Sequence, residues 1–256
     1  MTTGDSEPPA PVSARGQRSA SSAHARLKTQ CDFAHRVSHT LRGDIHAVRT
    51  ALSAALNQTS ALSLPTPARD ALARVEQAVA HMERRALDIA LLARADAGAL
   101  DLEREPHRLR WVVQDAVRAN RPTAAKAGVT LRCDVETCGA MSVPLDRELL
   151  LRALGALLHN AIRFSPAGGV VTVCGEIEEG VARIVVRDQG SGFAPGDAKR
   201  VFAPFAVGEN EQDGSGNGLG LGLSVARAII EAHGGRVQIV KSKEPGGAVA
   251  VELPLA

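Results

Sequence analysis

The sequence predicts an α+β protein in two unequal parts: a helical hairpin, then a two-layer α/β sandwich with its sheet covered on one face. Three observations carry that reading. Before Gly98, apolar residues recur at steps of three and four through two long segments, the spacing of a single helix face. Beyond Gly98 the pattern changes to short β-type runs alternating with helical ones. No segment repeats, and the second part holds too few helices to cover both faces of a sheet.

From Met1 to about Gln30 the chain is rich in Ser, Ala, Pro and Arg with almost no large apolar residue. Such a composition cannot offset the entropy of ordering, so residues 1–30 are expected to form a disordered arm. Residues 31–103 are expected to be the hairpin. Phe33, Val37, Leu41, Ile45, Val48, Leu52 and Leu56 line one stripe of its first helix. Pro65 and Pro67, in "NQTSALSLPTP", mark the turn. Leu72, Val75, Val79, Met82, Ala86 and Ile89 then alternate steps of three and four as heptads do. A lone hairpin leaves each stripe half covered, and two hairpins meeting about a two-fold axis would cover both as a four-helix bundle, so a homodimer is expected.

Gly98, in "RADAGALDL", is a helix stop, and a domain boundary is expected near Arg104. Residues 104–256 read in order as a helix over about 109–127, a strand at "VTLRCDV" and a helix from Asp146 to about Arg163. Strands follow at "GVVTVCGE" and "VARIVVRD", then a loop and a helix opening near Gly222. A closing pair, "GRVQIVKS" and "GAVAVELPL", is joined by the turn "KEPGG".

A formal net charge of +2, one Trp and no Tyr provide neither the field nor the stacking surfaces of a nucleic-acid binder. No run approaches the ~20 uncharged apolar residues of a membrane span, and "MTTGDSEPPAPVSARG" lacks the apolar core of a signal peptide, so a cytoplasmic protein is expected. Cys31, Cys133, Cys138 and Cys174 form no CxxC pair and have no ligand-spaced histidines, so they are read as reduced thiols.

Three stretches carry chemistry. In "DGSGNGLGLGLSVARAIIEAHGG", Gly218, Gly220 and Gly222 alternate with Leu219, Leu221 and Leu223 directly before a helical segment. Bare amides there can meet an anion at a positive helix end while the leucines anchor the loop. In "VVRDQGSGFAP", Asp188 ends an apolar strand, and Gly190 and Gly192 permit a turn that side chains would obstruct. A carboxylate so placed can accept a hydrogen bond from a ring amine, although an ordinary Asp-Gly turn has the same pattern. In "ALLHNAIRFSP", Asn160 offers a neutral carbonyl oxygen suited to magnesium, and Arg163, one turn later, can pair with a phosphate.

In order, "HNAIRFSP", "DQGSG", "FAPF" and "GLGLGL" resemble the N, G1, F and G2 boxes of the ATP-binding domain of sensor histidine kinases. That domain lies within the superfamily that includes gyrase, Hsp90 and MutL, so the resemblance implies a Bergerat-type fold over about 104–256. It also implies Mg·ATP as cofactor, with Asp188 reading adenine, Asn160 holding magnesium, and Gly218 to Gly222 binding phosphates under a lid spanning about 207–217. Phe33 to Leu41 likewise resembles the H box of the dimerisation and phosphotransfer domain, with His39 as phosphoacceptor, and "LDIALLARADAGALDLE" resembles the end of that domain's second helix.

Helical geometry agrees. At ~100° per residue His39 lies about 200° from both Val37 and Leu41, so it points away from the buried stripe. His35 and His46 share its face, and a metal held by the three histidines is the weaker alternative, since no carboxylate or thiolate completes the set. Gyrase-like and Hsp90-like members carry a glutamate one turn before the magnesium asparagine to activate water, and here Ala156 stands there. The γ-phosphoryl group therefore needs another nucleophile, and His39 is the candidate.

The resemblance implies a histidine kinase that phosphorylates His39 and passes the group to a response-regulator receiver domain, with any sensory input coming from a separate partner. Thr40 replaces the acidic residue that usually follows the histidine, which predicts slow transfer. Gly43 lacks the side chain that in the family positions water for dephosphorylating the response regulator, so phosphatase activity by that route is not expected. The alternative is a weakly active pseudokinase or nucleotide-binding dimeric scaffold that docks a regulator or partner kinase. A serine-directed kinase of the anti-sigma type shares the ATP fold but leaves the hairpin from Phe33 to Gly98 unexplained.

Overall fold

A computed structural model describes residues 65–136, 142–194, 196, 200–206, 220–241 and 245–255, together with 43, 45, 47–51, 53 and 54. The expected arm at 1–30, His39 with its neighbours His35, Thr40 and His46, Cys31, Cys138, Gly218 and the lid at 207–217 lie outside these residues.

The described residues between 43 and 54 are all helical, and Gly43 is among them, exposed and with open space where a side chain would stand. Helix α1, Thr66–Asp96, starts at Pro65 with Pro67 in its first turn, where a missing amide hydrogen costs nothing. Gly98, in the left-handed region at φ 64°, follows its end. Ile45 packs with Val79 and Ala86 of α1, and Arg49 pairs with Glu83 at 2.9 Å, so the two helical segments touch as a hairpin does. The heptad stripe is divided by this contact. Val79 and Ala86 are buried, whereas Val75, Met82 and Ile89, seven residues apart, are 48%, 55% and 38% exposed.

The second part is built on a five-stranded sheet. Its strands are β2 (Thr130–Asp134), β4 (Val170–Glu178), β5 (Val181–Arg187), β6 (Arg236–Ile239) and β7 (Ala248–Pro254), in the order β2-β4-β5-β7-β6. β2 and β4 are parallel and the other pairs antiparallel. Alternation puts Val171, Val173, Ala182, Ile184, Val186, Val249, Val251 and Leu253 on one buried face. Against it lie α2 (Leu109–Lys126), α3 (Arg147–Phe164) and α4 (Gly222–Ala232). The opposite face carries a row of alternating charge, Glu176, Arg183, Glu252 and Arg236, in register across four strands.

α3 is the central helix. Leu150, Leu154, Leu157, Leu158 and Ile162 face the core, and Asp146 caps the helix by accepting from Leu149 N at 3.0 Å. Its C-terminus is closed by Ser165, which donates to Ala161 O, ahead of Pro166. α1 joins this unit at its C-terminal end. Leu91 enters the core, Leu100 of the following linker packs on it, and Asp88 pairs with Arg152 of α3 at 2.6 Å.

One element was not foreseen. β1 (Glu105–Arg108) pairs antiparallel with β3 (Ser142–Leu145), with Pro106 opposite Pro144. β1 holds a proline and charged residues with no apolar alternation, and the alternation of Val143 and Leu145 in β3 spans only four residues, too few to read; a two-stranded ribbon tolerates the prolines because its outer edges need no ladder.

Two expectations follow from the packing. Leu150 is fully buried, so Leu150→Ala is expected to destabilise the protein by about 2–5 kcal/mol, read as a lower urea midpoint. The free thiols Cys133 and Cys174 lie on neighbouring strands. Loss of water around each sulfur, then the charge of Asp134, raises both above the ordinary thiol range, against the opposing pull of Arg121 on Cys133 and Arg187 on Cys174. Since the thiolate is the reactive form, both should be alkylated more slowly near pH 8.5 in the folded protein than in urea, as mass spectrometry of peptides would record.

Candidate nucleotide site

Asp188 ends β5 and is 7% exposed. A carboxylate so far from water must find donors within the protein. Its Oδ1 accepts from Gly190 N at 2.8 Å and from Gly247 N at 2.9 Å, while its own N–H donates to Gly247 O at 2.9 Å. Both amides converge on Oδ1, and neither reaches Oδ2. This arrangement requires glycine. A Cβ on Gly247 would stand 2.6 Å from Oδ2, and one on Gly246, at φ 125°, would stand within the van der Waals radius of Asp188 O.

The remaining elements gather around α3. A Cβ on Gly190 would lie 2.2 Å from Phe164 O, so the turn after Asp188 rests on the last carbonyls of that helix. Gly192, at φ 71°, packs against Gly246 O. Asn160 is half-buried on α3, and Arg163 is exposed one turn later with its guanidinium over the Phe164 ring at 5.6 Å. Gly222 starts α4 beside Ala156, one turn before Asn160. α4 has neither a side-chain cap nor an acidic residue in its first turn, so nothing in that turn offsets its positive end. Leu221 is buried and Leu223 half-buried, anchoring this end in the core.

Gly220, at φ 66°, closes the base of the loop before α4. A Cβ there would meet Ala206 O at 2.4 Å, so the two described ends of the 207–219 segment touch. Phe202 of "VFAPF" is buried, and Phe205 holds a left-handed φ of 62° with 63% of its surface exposed. Electrostatics around Asn160 are positive. Desolvation, then Arg84, Arg163 and His81, push His159 down from its ordinary value, so its imidazole is neutral at pH 7 although one side remains exposed.

Asn160, Arg163, Asp188, Gly190, Gly192, Gly220, Gly222 and Leu223, singled out by sequence, therefore sit on three elements that share α3 as a wall. Gly246 and Gly247 were missed. "KEPGG" reads as a plain turn, and its role appears only when the turn is seen folded onto Asp188. Among the described residues no group of His, Cys, Asp and Glu forms a metal cluster, and no helix is long and apolar enough to cross a membrane.

Residues 145–256 match the family described as histidine kinase-, DNA gyrase B-, and HSP90-like ATPase. The histidine protein kinase DivJ of Caulobacter vibrioides is 34% identical over 169 residues, 66% of this chain and 28% of that protein. The signal transduction histidine-protein kinase BaeS of Escherichia coli is 27% identical over 224 residues, 88% of this chain and 46% of that protein. The chain thus spans less than half the length of these relatives. Full-length ShkA in complex with AMPPNP shares the fold, with a TM-score of 0.66 at 23% identity over 85% of this chain and 46% of that one. The mycobacterial sensor histidine kinase MprB aligns with a TM-score of 0.51 at 29% identity over 59% of this chain and 97% of that one. With the boxes of the ATP-binding domain gathered on one wall, residues 145–256 match the histidine kinase-, DNA gyrase B-, and HSP90-like ATPase family, and the relatives that extend across the helical boundary are histidine kinases.

Proposed function

We propose that the protein is an ATP-dependent protein histidine kinase in which residues 104–256 bind Mg·ATP and residues 31–103 form the dimeric helical unit that carries His39. The observation that carries the reading is the Asp188 carboxylate, fixed by two backbone amides through Oδ1 alone, close to α3, which carries Asn160 and packs beside the start of α4. Oδ2 of Asp188 accepts the adenine amine, and Gly218, Gly220 and Gly222 lead the phosphates to the positive end of α4. Asn160 offers its carbonyl oxygen to magnesium and Arg163 its charge to a phosphate. Magnesium, when bound with the nucleotide, neutralises charge on the phosphoryl oxygens.

An imidazole nitrogen of His39 attacks the γ-phosphorus, the bond to the β,γ-bridging oxygen breaks, and ADP leaves. The new P–N bond is then broken by a receiver-domain aspartate, which becomes an acyl phosphate and returns neutral His39. Ala156 supports this route over hydrolysis, since it provides no base for water. Val75, Met82 and Ile89 form an exposed stripe at seven-residue spacing that a second copy would cover, giving the homodimer. The reading implies a cytoplasmic location for these domains, with the signal supplied by a separate partner or segment.

Incubation with γ-labelled ATP and magnesium should give an acid-labile label that His39→Ala abolishes and Asn160→Ala strongly reduces. ATP binding without label would favour the scaffold alternative, for which Thr40 is the sequence ground. Asp188→Asn should weaken ATP binding about 10- to 100-fold by titration calorimetry, because an amide turned to satisfy both glycine N–H groups presents a donor to the adenine amine.

A further inference from the structure

Among the described residues the buried polar ones, Asp188 and Ser224 apart, are Asp146 and His233, and the proposed nucleotide site uses neither. They lie 87 residues apart and meet where the linker after α1 reaches the ATP-binding domain. His233 Nδ1 is 2.8 Å from Ile229 O, which can only accept, so Nδ1 carries the proton. Nε2 is then the acceptor for Asp146 N–H at 3.1 Å. The Asp146 carboxylate divides its two oxygens, Oδ1 capping α3 and Oδ2 accepting from Glu103 N of the linker at 3.2 Å. One residue further, Arg104 Nη2 donates to Ala232 O, the last carbonyl of α4, at 3.0 Å.

The linker is thus tied at consecutive residues to the start of α3 and the end of α4, the two helices whose other ends form the nucleotide site. α4 spans about 16 Å between these ends and is held rigidly by the core, with Val225, Ala226, Ile229 and Ile230 buried. We infer that Asp146 and His233 are positioning residues, which hold the interdomain linker at a fixed point relative to the bound nucleotide and so set the approach of the γ-phosphate to the helical unit. Resting on the kinase reading, this adds to it the joint through which the two parts act together.

The full chain with Asp146→Asn, His233→Leu and His233→Gln tests the inference. Asn keeps the cap through its carbonyl oxygen but cannot also accept from Glu103. Leu removes the acceptor for Asp146 N–H, and Gln restores one. Hydrogen exchange over residues 97–104 should accelerate about two- to tenfold in Asp146→Asn and His233→Leu, the effect of one lost hydrogen bond, and return towards the unmodified rate in His233→Gln. Mg·ATP affinity should stay within about twofold in all three, while the rate of His39 labelling at saturating ATP falls in the first two and recovers in the third. Unchanged linker exchange in Asp146→Asn and His233→Leu would overturn the inference. So would ATP affinity falling in step with the labelling rate, because the residues would then act on the nucleotide site itself. Absence of label in the unmodified chain would count against the kinase reading alone, leaving the exchange measurement to decide the joint.

Discussion

A buried carboxylate must be solvated by the protein, and at Asp188 that requirement shapes the whole site. The donors are backbone amides from a turn two residues on and from the loop before the last strand, and both can approach only because they belong to glycines. Satisfying one oxygen draws the β6–β7 connection onto the end of β5 and lays the Gly190 turn on the last carbonyl of α3. The pocket wall is therefore a by-product of hydrogen-bond accounting. A side chain at Gly247 would crowd Oδ2 as well as the backbone, so the residue that permits the fold also leaves that oxygen room.

α3 meets two demands at once. Its apolar face fills the space over the sheet, while Asn160, half-buried, and Arg163, exposed, stay out of the core on the same helix. Ala156 belongs to the same arrangement, since a small residue lets Gly222 bring α4 close. The substitution that removes a hydrolytic base is thus also a packing contact, and chemistry and fold agree on a short side chain there.

Much of this was legible in the sequence because its periodicities are simple. Val171, Val173, Ile184 and Val251 announce strands by alternation, and Leu150, Leu154 and Leu157 a helix by steps of three and four. The candidate residues could be named because each lies in a short local pattern of glycines or polar groups. What escaped has no local pattern. β1 and β3 hide behind facing prolines, Gly247 matters only through a residue 59 positions away, and the bond between Asp146 and His233 spans 87. Pairing over such distances is set by the folded sheet and leaves no trace in a window of a few residues.

Ala206 and Gly220 touch at the base of the segment that joins them, and this contact separates that segment's length from the stability of the domain. Once the two ends are fixed by the surrounding fold, extra residues add only the slowly growing entropy of a larger closed loop, about 0.6 kcal/mol for each doubling. The contact between Ala206 and Gly220 thus holds sheet, helices and the Asp188 acceptor together independently of the number of residues that join the two.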